Sequence, residues 1–320
     1  MVFVHSAFLY DSDASYAAAL ALFAREGLAR EQSVAVAAAP DRAGLVREAL
    51  GGDARSVRFL PADEWYARPV RTIAGWVKLL RSGQSRGRTT RLVGETPWTG
   101  PAAAWTRYEA ALNRALSRFD GTLLCPYDLR SLPPHLLDVP GRTHPRVHRD
   151  GWRDSTTYEP ARVLTEVLDQ PWPVSGPPAF VAPVPDTVAG LRATVRERAV
   201  LGGWLPPGRL DYLVLAVCEL ATNSVRHGGT ERELTVWVLP DAVVCEVTDT
   251  GGRAPEPFAG YLPPVPGVSG GMGLWLVHQL CDGLTLRREG DVTRARFGVL
   301  RAAAGDRPVS ERERHPACSA

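Results

Sequence analysis

Glu219-Leu220-Ala221-Thr222-Asn223-Ser224-Val225-Arg226-His227-Gly228 sets a carboxylate and a carboxamide four residues apart in an otherwise apolar run. Four residues make about one helical turn, so the two groups leave one face some ~6 Å apart along the axis. Leu210, Leu213, Val214, Val217, Leu220 and Ala221 recur at helical spacing, Pro207 suits a first turn, and Gly228-Gly229 is a stop signal. The spacing therefore predicts a helix from Pro207 to His227 with one face in a core. An amide oxygen such as that of Asn223 is a hard-cation ligand suited to Mg²⁺ beside phosphates. A carboxylate one turn earlier, Glu219, can orient or deprotonate a hydroxyl or water. His227 continues that face toward a phosphate or substrate. The plain alternatives are a solvent edge for Glu219 and Asn223, and a residue complementing the helix dipole for His227.

Two glycine-rich elements follow. Asp249-Thr250-Gly251-Gly252 closes a run in which Val243, Cys245 and Val247 alternate, so Asp249 sits at a strand end. A carboxylate there can accept a hydrogen bond from the exocyclic amino group of adenine, and Gly251 and Gly252 let the backbone approach a base. Gly270-Gly271-Met272-Gly273 precedes the apolar Leu274-Trp275-Leu276-Val277. Free N–H groups at that helix start suit a phosphate, and the glycines permit a movable lid. Each element also reads as an ordinary turn. No GxxxxGK[ST] occurs, so a P-loop has no support. Around these elements the pattern predicts helices over Val188–Gly202 and Gly273–Leu280, and strands over Glu233–Leu239 and Ala242–Thr248. A Pro/Gly-rich loop runs from Arg253 to Ser269, and a last hairpin pairs Leu284–Glu289 with Val292–Val299. Helices on one face of a mixed sheet are the simplest arrangement.

Taken in order, the three elements resemble the GHKL ATPase superfamily with its Bergerat fold, and most of all the compact anti-sigma-factor serine kinases of bacteria. ELATNSVRHG is similar to that family's N box, DTGG to its first glycine box and GGMGLWLV to its second, over residues 180–302. The resemblance implies ATP and Mg²⁺ as cofactors. It implies Glu219 as catalytic base, Asn223 as the Mg²⁺ ligand, Asp249 as the adenine contact, and phosphate and lid roles for Gly271 and Gly273. Two departures stand out. Arg253 occupies the last glycine position of the family's DxGxG, and the last strand reads Val292-Thr293-Arg294 where a Gly-Thr pair is usual, leaving Thr293 as the contact. The leading expectation is an ATP-dependent serine/threonine kinase that controls a sigma factor by phosphorylating a STAS-type anti-sigma antagonist. The alternatives are a non-catalytic, ATP-dependent binding switch and, more weakly, an orphan sensor histidine kinase. No heptad run precedes the ATPase part, and His135, His144 and His148 stand among prolines, glycines and charges.

The N-terminal half alternates strand-like and helical stretches. Strands are expected over Ser33–Ala39, Val57–Leu60, Arg91–Gly94 and Thr122–Cys125, and helices over Ala43–Leu50 and Ala102–Phe119. This order implies a mostly parallel α/β sheet, and hence a two-domain α/β chain. The polar groups to watch are His5, Glu95, Glu109, Asn113, Cys125, Tyr127, Asp128 and His144. Glu109 and Asn113 share a helix face, and Cys125-Pro126-Tyr127-Asp128 ends a strand, where α/β sheets present ligands. Caps, turns or buried polar pairs explain each of them equally simply. Glu95, Cys125 and Asp128 are the expected rim of a sensory pocket, with no metal-ligand spacing or nucleophile order apparent. HSAFLYDSD, GETPW, YEAALNRAL, LLCPYD and THP resemble the MEDS domain of DcmR-type regulators over residues 3–148. That implies a small-molecule-sensing α/β module, joined here to an actinobacterial anti-sigma regulator.

Bulk properties agree with this organisation. The chain has 320 residues, enough for two cores, and a formal charge of +2, too balanced for direct nucleic-acid binding. Five irregularly spaced cysteines form no disulfide or metal pattern, and Cys125, Cys218, Cys245 and Cys281 lie in apolar contexts that predict buried thiols. The first residues do not read as a signal peptide and no window spans a bilayer, so a cytoplasmic protein without a membrane partner is expected, a homodimer being left open. The expected domains are residues 1–150 (sensor), 151–178 (proline-rich linker with a short helix at Pro160–Leu168), 179–303 (ATPase) and 304–320 (disordered tail).

Overall fold

The computed structural model describes residues 3–98, 102–265, 267 and 271–302. Gly270 and the tail beyond residue 302 lie outside the described residues. The chain forms two compact units, residues 1–170 with 256–275, and residues 171–255 with 276–320.

The first unit is built on seven strands: β1 (Phe3–Tyr10), β2 (Ser33–Ala38), β3 (Val57–Pro61), β4 (Thr90–Gly94), β5 (Gly121–Asp128), β6 (Arg146–His148) and β7 (Trp152–Asp154). Their order is β3-β2-β4-β5-β1-β6-β7. Every pairing is parallel except β6 with β7. Helices α1 (Asp13–Ala29), α2 (Pro40–Leu50), α3 (Ala62–Trp65), α4 (Pro69–Gln84), α5 (Ala102–Leu116), α6 (Val139–Thr143) and α7 (Pro160–Glu166) supply the connections. The buried Val/Ala/Leu runs of β2, β4 and β5 are what a sheet covered on both faces requires. One core contains Trp76, Tyr108, Leu112, Leu123, Cys125 and Tyr127; the other contains Tyr10, Tyr16, Leu20, Val36, Val93 and Leu124. β1, the first helix and the long helix α4 are among the elements that the sequence pattern leaves unread. The segment expected to be a linker supplies β7 to this sheet and Val163 and Leu164 of α7 to the first core.

The second unit has five strands: β8 (Phe180–Pro183), β9 (Arg232–Val238), β10 (Ala242–Thr250), β11 (Gly283–Glu289) and β12 (Val292–Leu300). They run in the order β11-β12-β10-β9-β8. All of these pairings are antiparallel, where a mixed sheet is the sequence expectation. The short β9–β10 and β11–β12 connections, which only reverse the chain, dictate two of these pairings. Helices α8 (Val188–Leu201) and α9 (Pro207–His227) bury Leu191, Val195 and Ala199, and Leu213, Val214, Val217, Leu220 and Ala221, respectively. Helix α10 (Met272–Leu280) follows the second glycine run. Trp172 anchors the proline-rich entry. Its indole covers Gly283 and Gly298, where a Cβ would come within 2.8 and 2.4 Å of the ring, and its carbonyl accepts from Arg296. Among the described residues no helix is long and apolar enough to cross a membrane.

Candidate functional site

Helix α9 carries Glu219 and Asn223 at the border of its buried face, both half-buried, while His227 is exposed in its last turn. The next residue, Ser224, is buried, and its hydroxyl lacks a hydrogen-bond partner among the described residues. The backbone N–H of Gly228 donates to the Ser224 carbonyl and ends the helix.

Asp249, near the end of β10, lies opposite Thr293 of β12 and is buried. One carboxylate oxygen, Oδ1, is buried with no hydrogen-bond partner among the described residues. Burial pushes the Asp249 carboxyl above the usual carboxylate range, while the nearby Ser224 hydroxyl, Arg288, Thr293 and Arg232 pull the other way. A buried acceptor without a donor is costly, and such a group asks for a ligand. Glycines pack closely around this carboxylate, at positions where a side chain would clash. A Cβ on Gly252 would lie 2.5 Å from Gly228 Cα, 2.8 Å from the His227 carbonyl and 3.0 Å from Asp249 Oδ1. A Cβ on Gly228 would lie 2.6 Å from the Asp249 carboxyl carbon. Gly251 has φ +71°, a left-handed conformation that favours glycine. The exocyclic amino group of adenine is a donor of the kind that Oδ1 lacks. Arg288, opposite Thr293 on β11, donates to the Gly252 carbonyl at 2.6 Å and to Thr293 Oγ1 at 3.4 Å. The N–H of Arg253, which replaces a family glycine, donates to the His227 carbonyl at 3.1 Å. Ser224, Gly228 and Arg288 were not singled out by motif reading. Ser224 directly follows Asn223, but Arg288 becomes relevant only through the β11–β12 register.

Gly271, with φ +75°, directly precedes α10, and Gly273 lies in its first turn. Both belong by compactness to the first unit, with residues 256–275. Within that unit Tyr261 and Trp275 are buried. Arg107 donates to the Tyr261 hydroxyl at 2.9 Å and to the carbonyls of Leu164 and Val167 at 2.5 and 2.7 Å. Arg118 donates to the Pro264 carbonyl at 3.1 Å.

The expected sensory rim is divided. Positions 125 and 128 differ by an odd number on one strand, so their side chains leave opposite faces. Glu95 and Asp128 come together on the α1–α2 side: Tyr10 and Tyr16 donate to Glu95 at 2.9 and 3.0 Å, and Arg42 pairs with Asp128 at 2.7 Å. Burial raises the Glu95 carboxyl above its ordinary range, and Arg130 holds Asp128 below it. Cys125 lies on the other face beside His5, Glu109 and His144, all four buried. Glu109 would be raised by burial, but His144 and His5 beside it bring it down to about 2, while burial lowers His5 to about 4. Burial pushes the Cys125 thiol well up. Of the other cysteines, Cys245 and Cys281 are buried as expected, whereas Cys218 is only half-buried.

Comparison with known proteins divides the chain in the same way. Residues 4–145 match the family model of the MEDS domain, the methanogen/methylotroph, DcmR sensory domain. Residues 181–297 match that of the histidine kinase-like ATPase domain. The chain joins a MEDS domain to a histidine kinase-like ATPase domain. The MEDS match spans β1 to β5, and the ATPase match spans β8 to β11 with most of β12. A search of curated proteins finds no match. Among solved structures, the NMR structure of the histidine kinase domain of the E. coli osmosensor EnvZ is 15% identical, covering 43% of this chain and 99% of that one. Its TM-score of 0.24 is too low for that likeness to bear on the fold or the function.

Proposed function

We propose that the ATPase domain is an ATP-dependent serine/threonine protein kinase, and that the chain controls a sigma factor by phosphorylating a STAS-type anti-sigma antagonist. The observation that carries nucleotide binding is the buried Asp249 Oδ1, bordered by close-packed glycines and without a hydrogen-bond partner among the described residues. Asp249 would hold the adenine amino group, Thr293 and Ser224 would complete that end, and Asn223 would hold Mg²⁺. Gly271 and Gly273 would offer N–H groups to phosphate at the start of α10. Bound Mg-ATP supplies a transferable phosphoryl group. Glu219, half-buried on the face of Asn223, would position a seryl or threonyl hydroxyl and take its proton.

Phosphorylation of one of the chain's own histidines is the weaker reading. His144 is fully buried, His135 lies in a short 3₁₀ turn and His148 on the three-residue strand β6. None of these presents an accessible imidazole on a long helix. The reading as a non-catalytic switch has one observation in its favour. Hydrogen bonds from the Arg253 backbone N–H and the Arg288 side chain tie the first glycine loop to His227 and to β11. Control by the MEDS domain is supported by chain membership: residues 256–275, which follow the first glycine run and include the second, group with the unit that contains it.

The test is incubation of the full-length protein with γ-labelled ATP and candidate STAS-type antagonists. Acid-stable label on the partner, lost with Glu219→Ala, is the expected result. Acid-labile label on this chain, removed by replacing a single histidine, would overturn the proposal. ATP binding with no transfer to any antagonist would favour the switch.

A further inference from the structure

The buried cluster in the MEDS domain is not absorbed by nucleotide chemistry. His5 comes from β1, Glu109 from α5, Cys125 from β5 and His144 from the residue after α6. One ligand atom from each lies within 4.8 Å of every other, and all four side chains are buried. Because four separate elements contribute, no sequence spacing announces the cluster.

Three of the internal distances are close to those of a coordination sphere. His5 Nε2 lies 3.2 Å from Cys125 Sγ and 3.5 Å from Glu109 Oε2, and His144 Nε2 lies 3.4 Å from Glu109 Oε2. Tetrahedral Zn²⁺ with bonds of about 2.0–2.3 Å to N, O and S places neighbouring ligand atoms roughly 3.4–3.6 Å apart. The two contacts to Glu109 Oε2 are longer than ordinary N–H···O hydrogen bonds, whereas the His5–Cys125 distance also suits an N–H···S hydrogen bond.

The outer contacts orient two of the groups as ligands. His144 Nδ1 lies 3.1 Å from the Pro140 carbonyl and 2.9 Å from Thr143 Oγ1, whose own hydrogen goes to the Val139 carbonyl. Both neighbours therefore accept, Nδ1 carries the proton, and Nε2 turns a lone pair into the cluster. The Thr96 hydroxyl donates to Glu109 Oε1, leaving Oε2 facing inward. Neither Glu109 Oε2 nor His144 Nε2 has a hydrogen-bond partner among the described residues. Two inward lone pairs at this range repel unless a cation or proton lies between them. A backbone carbonyl on the far nitrogen of an imidazole is the usual support of a metal-ligating histidine.

We propose that His5, Glu109, Cys125 and His144 form a buried tetrahedral site for a divalent transition metal of the zinc class in the MEDS domain. The donor set of two imidazoles, one thiolate and one carboxylate selects such an ion over Mg²⁺ or Ca²⁺. The site is then neutral: two positive charges on the ion balance one thiolate and one carboxylate, which removes the cost of an isolated buried charge. Binding replaces the S–H bond of Cys125 by an S–metal bond and releases that proton to solvent. Asn113 donates to the Thr143 carbonyl and approaches His5 Nδ1, each at 3.0 Å. In the metal-free arrangement His5 therefore carries its proton on Nε2. Metal binding moves this proton to Nδ1, and the Asn113 carboxamide turns its oxygen to receive it, giving up its hydrogen bond to the Thr143 carbonyl. The metal enters as the chain folds, since its ligands converge only in the assembled sheet.

The experiment uses full-length protein, stripped with chelator and titrated with Co²⁺ and then Zn²⁺ without nucleotide. One equivalent of Co²⁺ should give the intense visible bands of a tetrahedral site and a thiolate-to-cobalt charge-transfer band. Cys125→Ser should abolish that band, while Cys218→Ser keeps it. Outer-sphere losses already cost about 10–100-fold in affinity, so Glu109→Gln and His144→Gln should weaken Zn²⁺ binding at least as much. Zn²⁺ should raise the melting temperature of the stripped wild type and not that of Cys125→Ser, a comparison that holds even if the variant is less stable. Octahedral cobalt, a charge-transfer band that survives Cys125→Ser, or no binding with an unchanged melting temperature would overturn the proposal and leave a proton-sharing His–Glu–His cluster.

Discussion

Asp249→Asn separates a ligand-binding carboxylate from a structural one. In the free protein Asp249 is buried with one oxygen unpartnered, and its carboxyl is raised above the ordinary range mainly by burial. A raised carboxyl favours the native state at low pH. This contribution is full below the unfolded-state value and is lost as pH rises through the folded-state value, so at neutral pH the ionised group opposes folding. A neutral amide of the same shape removes that opposition, and the melting temperature of the nucleotide-free variant should stay level or rise. Nucleotide affinity should move the other way. A hydrogen bond to a charged acceptor is worth about 1.5–3 kcal/mol, and the amide can also turn an N–H toward the adenine amino group. The expected loss is therefore roughly 10- to 100-fold in Kd, at about 1.4 kcal/mol per decade. The assay is calorimetric titration of full-length wild type and variant with Mg-ATP, alongside thermal melts without nucleotide. Wild-type affinity should also decline on acidification at a higher pH than an unshifted aspartate would give, while the variant stays flat. Equal affinity of the two proteins would refute the reasoning, as would a fall in affinity matched by a fall in stability.

Two further outcomes can be checked with single substitutions. Glu219→Ala should retain Mg-ATP and lose phosphotransfer, because a base acts on the acceptor hydroxyl and not on the bound nucleotide, whereas Asn223→Ala should weaken both; titration and a transfer assay read the two separately. Gly298→Val would drive a Cβ to 2.4 Å from the Trp172 ring and should lower stability by about 1–3 kcal/mol in denaturant unfolding, with no such loss for Val at the open position of Gly190 beyond its helix propensity.

The nucleotide half was legible because its chemistry is local. Glu219 and Asn223 sit on one helix turn, Asp249 lies next to the end of its strand, and the elements around them follow their hydrophobic periods closely: α9 runs Pro207–His227 as its pattern predicts. Periodicity also gave the strand–helix alternation of the N-terminal half. It passed over α1, whose polar face is interrupted by a run of alanines that carries little contrast between its sides. It also left residues 151–178 as a linker with one short helix, since prolines forbid long elements but say nothing of what short ones pack against. Trp172 is an anchor only because Gly283 and Gly298 present bare backbone to it.

What the sequence by itself determined is therefore what neighbours along the chain can specify: two α/β domains, a nucleotide-type constellation on one helix and two glycine turns, and the residue types able to serve it. The tertiary structure decided everything set by strand parity and sheet order. Odd spacing on β5 sends Cys125 and Asp128 to opposite faces, so a supposed single rim becomes two separate polar groups. The parallel register of β1 on β5 then brings His5 against Cys125 across 120 residues, and α5 and the end of α6 close Glu109 and His144 over them. No local pattern encodes that meeting, because it depends on which strands become neighbours, a choice made by the burial of whole faces rather than by any one stretch of chain.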